Sequence, residues 1–232
     1  MKNPTIGVLA RSMEELKENT KALKEINQTL ISFNACPVFF VYPTLEICEY
    51  KNKKHELKPE GKEYVYKSLE SVDGIVVPGG NTGFNAYDFE FIHRCIEKDV
   101  PILGICMGMQ AMAITTGGSV RKLQDPMIHD TDDIHSHKVE IEPKTYLNDI
   151  FEKQEIEVNS RHEYSVIDKG QYKVSAKYKN KIEAIEYTKN SFNIGVQWHP
   201  ETMYIKEREM SLLFADFIIE AEKYKNKKIK RD

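Results

Sequence analysis

Cysteine is scarce in this chain, with four in 232 residues, and Cys36, Cys48, Cys95 and Cys106 show none of the paired spacings that hold a metal ion. Reduced thiols are the expectation. Neither charge is in excess: 33 basic and 36 acidic residues leave a formal net charge of −3, so no global field draws in nucleic acid or an anionic membrane. No apolar run approaches the roughly 20 residues that span a bilayer. The opening Met-Lys-Asn-Pro leads straight into Thr-Ile-Gly-Val-Leu without a secretory apolar region. These absences point to a soluble, cytoplasmic protein. The Lys-rich end from Lys223 to Arg231 reads as a frayed, solvated tail.

What is present is an alternation of short apolar runs and helical patterns, the mark of a parallel sheet with crossover helices. Thr5 to Ala10, Val38 to Tyr42 and Gly74 to Val77 read as strands, the last stopping at Pro78-Gly79-Gly80. Ser12 and Glu15 suggest a capping box before a helix whose apolar face is Met13, Leu16, Leu23, Ile26 and Leu30. A helix ending near Leu69 and another over Asp88 to Lys98 follow, and Pro101 restarts the chain as a strand. Beyond Gly117-Gly118 the rhythm changes to strands with little helix between them, at Val139–Glu142, Ile156–Asn159, Tyr172–Tyr178, Ile182–Thr188 and Phe192–Gln197, which predicts hairpins. A final helix over about Ile205 to Tyr224 carries Met210, Leu213, Phe214, Phe217, Ile218 and Ala221 on one stripe. With no internal repeat or long linker, the chain reads as one domain.

In Pro101-Ile-Leu-Gly-Ile-Cys-Met-Gly-Met-Gln110, Cys106 stands between Gly104 and Gly108 where strand gives way to helix. That is the layout of a nucleophile elbow, which needs small neighbours because the backbone is strained and a substrate must come close. The helix N-terminus behind it favours a thiolate. A buried, inert cysteine fits the same bare pattern. Gly195-Val-Gln-Trp-His-Pro-Glu201 supplies a base and its carboxylate partner, and strand periodicity would put His199 and Glu201 on one face. The Pro78-Gly79-Gly80 turn offers backbone N–H groups for an oxyanion, together with that of Met107, although taken alone it reads more simply as a tight turn needing positive φ.

These three segments resemble the signatures of class I glutamine amidotransferase domains. Pro4-Thr-Ile-Gly7, Asp88 and Glu90, His137-Lys-Val-Glu-Ile141 and Val158-Asn-Ser-Arg-His162 bring the chain nearest to the γ-glutamyl-γ-aminobutyrate hydrolase group of the C26 peptidases. The resemblance covers essentially the whole chain. It implies an α/β, flavodoxin-like fold: a central, mostly parallel sheet flanked by helices, with an antiparallel hairpin region added in the C-terminal half. It also implies a Cys106, His199, Glu201 triad and no cofactor. Gln110, Asn159, Ser160 and His162 would line the pocket for a small-molecule γ-glutamyl substrate. Read from the residues alone, Gln110 is a solvated helix residue and His162 a loop histidine. Hydrolases of this group often carry Arg-Asp where this chain has Tyr87-Asp88, so one anchor for a substrate carboxylate is missing.

The implied activity is hydrolysis of a γ-glutamyl amide through a thioester, with self-assembly into a homo-oligomer left open. A glutaminase subunit passing ammonia to a separate synthetase is the nearest alternative. A binding protein without turnover is a third reading, against which the intact Cys106, His199 and Glu201 set argues. His129, Asp130, Asp132, Asp133, His135 and His137 have the ligand types of a metal site but no rigid frame, so they read as a solvated loop with His137 opening a strand. Met107, Met109 and Met112 read as packing beneath the sheet.

Overall fold

The computed structural model describes residues 3–18, 20–44, 46–48, 56–80, 83–124 and 133–230, without the side chains of Glu15, Glu18 and Cys48. The Glu15 half of the Ser12 capping box therefore lies outside the described residues. In chain order the elements are β1 (Thr5–Arg11), α1 (Met13–Glu18), α2 (Thr20–Ser32), β2 (Cys36–Val41), β3 (Ile47–Cys48), α3 (Pro59–Glu70), β4 (Gly74–Val77), β5 (Phe84–Asn85), α4 (Ala86–Lys98) and β6 (Ile102–Ile105). They continue as α5 (Met107–Thr115), β7 (Ser119–Lys122), β8 (His137–Ile141), α6 (Tyr146–Phe151), β9 (Glu155–Val158), β10 (Tyr164–Asp168), β11 (Lys173–Tyr178), β12 (Lys181–Glu186), β13 (Asn193–Val196), a 3₁₀ turn (Pro200–Thr202) and α7 (Arg208–Ile229).

One mixed sheet runs β2-β1-β4-β6-β13-β12-β11-β8-β9. The five strands from β2 to β13 are parallel, and the rest continue the same sheet antiparallel, with β10 bridging β12 and β7. Period-two alternation splits each parallel strand between two apolar layers. Ile6, Val8, Val76, Leu103 and Ile105 face α2, α6 and α7; Leu9, Ile75, Val77 and Ile102 face α3, α4 and α5. Phe214 and Phe217 of α7 are fully buried in the first layer, each contributing about 1.5–3 kcal/mol by the usual transfer scale.

Adjacency of β4, β6 and β13 positions the site. Val77 pairs with Gly104 and Val196 with Ile105, so Pro78-Gly79, Cys106 and Gln197 leave neighbouring strands at one carboxyl edge. That edge is where open α/β sheets bind ligands.

One expectation is corrected. The Lys-rich tail is not frayed over its described part: α7 runs to Ile229, Lys225 Nζ donates to the Asn3 carbonyl, and Lys228 Nζ donates to the Glu70 and Val72 carbonyls at 3.0 and 2.9 Å. The little helix expected in the hairpin region is the short α6, which Thr145 caps by accepting the Asn148 N–H at 3.1 Å. The strands β7 and β10 were not anticipated; they are short, and their burial does not alternate. Among the described residues no helix is long and apolar enough to cross a membrane.

Candidate active site

Cys106 caps α5 with φ 52° and ψ −108°, a conformation outside the regular wells that costs about 1–3 kcal/mol. The surroundings hold it there. A Cβ on Gly108 would collide with the Val77 carbonyl oxygen, and one on Gly104 with the Met112 sulfur, so only glycines let α5 press this close to β4 and β6. Met107, Met109 and Met112 are all buried in that packing. The Cys106 N–H donates to the Val196 carbonyl at 2.8 Å. The residue is 6% exposed; Gln197 Nε2 lies 3.6 Å from Sγ, and the thiol faces the Arg161 carbonyl at 3.9 Å.

His199 and Glu201 do meet, but not by strand periodicity. β13 ends at Val196, and Glu201 lies in the 3₁₀ turn that His199 precedes, with φ −109° and ψ 83° at His199. The turn brings Glu201 Oε1 to 2.8 Å from His199 Nδ1. Both side chains are well buried. Burial alone would push the His199 pKa down. The charges of Glu201 and Cys106, and its hydrogen bonds to both, outweigh burial and hold it above the ordinary imidazole value, at about 10.

Gly79 packs directly on this pair. A Cβ there would stand 3.0 Å from His199 Cε1 and 3.4 Å from Cys106 Cβ. Its φ is not positive, so close approach rather than turn geometry requires a glycine at 79. Met107, whose N–H opens α5, lies on the other side of the elbow.

The pocket residues implied by resemblance are all buried. Gln110 is not solvated: its Nε2 donates to the Tyr164 carbonyl at 3.0 Å and to Gln197 Oε1 at 3.2 Å. Asn159 Oδ1 accepts the His199 N–H at 2.8 Å, and its Nδ2 donates to the His199 carbonyl at 3.0 Å. Ser160 sits beside it. His162 Nδ1 lies 2.8 Å from the Tyr164 carbonyl, and burial lowers its pKa to about 4.

Sequence reasoning gave no role to two residues. Gln197 lies within the Gly195–Glu201 motif, where nothing local marks it as a neighbour of Cys106. Arg11 closes β1 and is buried against Asp88, so a guanidinium does meet Asp88, from β1 rather than from position 87. Its only sequence signal is an arginine ending an apolar strand at the ligand-binding edge. Of the acidic loop, His129, Asp130 and Asp132 lie outside the described residues. His135 Nε2 lies 2.8 Å from Glu207 Oε1, and His137 opens β8. Among the described residues no three His, Cys, Asp or Glu side chains are grouped to hold a metal ion.

Such a sheet, with a cysteine elbow beside a histidine–carboxylate pair, is the architecture of class I glutamine amidotransferase domains. The chain belongs to the peptidase C26 family, whose model matches residues 81–201, just over half of it, and is a glutamine amidotransferase-like hydrolase. It is similar to the gamma-glutamyl-gamma-aminobutyrate hydrolase of Shigella flexneri, 29% identical over 238 residues, covering 94% of this chain and 93% of that protein. It is also similar to the CTP synthase of Staphylococcus carnosus, 30% identical over 195 residues, covering 69% of this chain and 36% of that protein. The solved glutaminase domain of Trypanosoma brucei CTPS with bound acivicin shares the fold, with a TM-score of 0.69 at 19% identity over 95% of this chain and 94% of that one.

Proposed function

We propose that the chain hydrolyses the γ-glutamyl amide bond of a γ-glutamyl amine, such as γ-glutamyl-γ-aminobutyrate, to glutamate and the free amine. The observation that carries this is the His199–Glu201 pair at 2.8 Å facing Cys106 at the mouth of α5. In the proposed reaction Cys106 Sγ attacks the γ-carbonyl carbon, and the oxyanion is taken by the N–H groups of Met107 and of Gly79 or Gly80. The C–N bond breaks as His199 gives its Nε2 proton to the leaving amine, which leaves a γ-glutamyl thioester. His199 then takes a proton from water, the hydroxide attacks the thioester, and the C–S bond breaks to free glutamate. Glu201 keeps Nδ1 protonated and the ring oriented throughout. Gln110, Ser160 and His162 line the glutamyl side of the pocket in this reading. Arg161, whose Nε is buried without a hydrogen-bond partner among the described residues, supplies a guanidinium for a substrate carboxylate in place of the one absent at Tyr87.

The similarity to CTP synthase favours one second reading, a glutaminase that passes ammonia to a separate synthetase. A release assay across γ-glutamyl amines, glutamine and γ-glutamyl peptides separates the two, with Cys106→Ala as control. Release of 4-aminobutyrate from its conjugate with little action on glutamine supports the hydrolase. Glutaminase activity appearing only with a partner supports the subunit. Near-wild-type release by Cys106→Ala sinks both.

A further inference from the structure

Arg11 belongs to none of the three motifs, yet it is among the largest fully buried side chains, and it closes β1 with φ 58°. A buried guanidinium persists only where its donors are satisfied. Nε lies 3.1 and 3.0 Å from the two carboxylate oxygens of Asp88, Nη1 donates to the Gly79 carbonyl at 3.2 Å, and Nη2 donates to the Pro78 carbonyl at 2.9 Å. Asp88 in turn accepts from the Tyr42 hydroxyl at 2.6 Å and the Asn85 N–H at 3.1 Å. The guanidinium thus braces a glycine loop against the start of α4.

The two carbonyls are those of the Pro78–Gly79 and Gly79–Gly80 peptide units. A trans peptide is planar, with its N–H directed opposite to its C=O. Holding the Pro78 carbonyl therefore sets the direction of the Gly79 N–H, and holding the Gly79 carbonyl sets that of the Gly80 N–H. Both carbonyls turn to one guanidinium, so both N–H groups turn away from it, on a loop whose Gly79 packs against Cys106 and His199. We propose that Arg11 is a positioning residue for the oxyanion site, fixing the Pro78–Gly80 backbone so that its N–H donors stay aimed at the carbonyl oxygen of a substrate attacked by Cys106. The inference rests on the acyl-transfer reading above. Preorganised donors of this kind work because they need no reorientation at the moment of reaction. A planar fork can hold two carbonyls and a carboxylate at once, which the point charge of a lysine cannot.

The test compares turnover with simple alkylation of Cys106. The substrate is γ-glutamyl-4-aminobutyrate or glutamine, whichever the wild type turns over faster. Arg11→Lys is expected to lower kcat about 10- to 100-fold with KM nearly unchanged, in line with the cost of misplaced catalytic groups. Alkylation of Cys106 by iodoacetamide uses no oxyanion donor and should stay within about twofold of wild type. Guanidinium ion added to Arg11→Ala should restore part of the lost turnover, and ammonium ion should not. Tyr42→Phe, which leaves Arg11 in place and loosens only Asp88, should show a smaller drop of the same kind and serves where Arg11→Lys does not fold. Wild-type kcat in Arg11→Lys or, where that variant does not fold, in Tyr42→Phe overturns the proposal. So does an equal fall in turnover and alkylation. A wild type that releases no glutamate from any of these substrates overturns the acyl-transfer reading itself, a result visible before any Arg11 variant is assayed.

Discussion

Asn159 grips His199 by both sides of its backbone, accepting its N–H at 2.8 Å and donating to its carbonyl at 3.0 Å. The same Nδ2 donates to Thr202 Oγ1 at 2.7 Å, on the turn that carries Glu201. Both amide donors and the amide oxygen are thereby engaged with the His199–Thr202 segment. In the proposed reaction Asn159 would act through the imidazole it steadies.

For Asn159→Ala the expected outcome is a fall in kcat of about 10- to 100-fold, since small misplacements of catalytic groups cost that much. KM should change little. Stability should fall by about 1–3 kcal/mol, because buried backbone groups lose their partners. Steady-state kinetics and denaturant unfolding check this. A large rise in KM at constant kcat would instead place Asn159 against the substrate.

Gly79→Ala tests how tightly the loop approaches His199. Alanine tolerates the backbone there, since φ is not positive, so any effect is steric. Its methyl would stand 3.0 Å from His199 Cε1 and 3.4 Å from Cys106 Cβ. We expect kcat/KM to drop by about 100-fold while overpacking lowers stability by about 1–3 kcal/mol. Wild-type kcat/KM with unchanged thermal stability would show that the loop can move aside at no cost.

The site was legible where its parts follow strands, because the ends of β4, β6 and β13 are neighbours and each strand was marked by a continuous apolar run. Gly104, Cys106 and Gly108 announce their own constraint, since only small residues fit so sharp an elbow. The pairing of His199 with Glu201 was foreseen from a spacing of two, but a 3₁₀ turn rather than a strand produces it. Arg11 was illegible because its partners lie 67 to 77 residues away, and no local pattern encodes them. β7 and α6 escaped for another reason: segments of 4 and 6 residues are too short to display a period.

His162 should make the protein acid-sensitive. Burial holds its pKa down at about 4 against an ordinary 6.5. Between those values the unfolded chain binds a proton that the folded chain refuses, so stability falls as pH drops from about 6.5 to about 4 and levels below that. Urea midpoints measured from pH 7 to pH 4 should fall less steeply for His162→Asn than for wild type. An equal slope in the two proteins would assign the acid sensitivity to other groups.

His199 has the opposite sign. Its folded pKa is raised to about 10, so its contribution to stability is full below about 6.5 and is lost as pH climbs from there through the folded value, where the folded state alone keeps the proton. Cys106 supplies two of the effects that raise it, a charge and a hydrogen bond, and Glu201 supplies the other two against the opposing effect of burial. Cys106→Ala should therefore lower the His199 pKa while leaving the Nδ1 contact with Glu201 in place. Following the His199 Cε1–H resonance by NMR from pH 5 to pH 11 reads this directly. The wild-type ring should stay protonated well above pH 7 and the variant ring should lose its proton earlier. Identical titrations would mean that the imidazole does not sense the sulfur at all, and the proposed acyl transfer would lose its base.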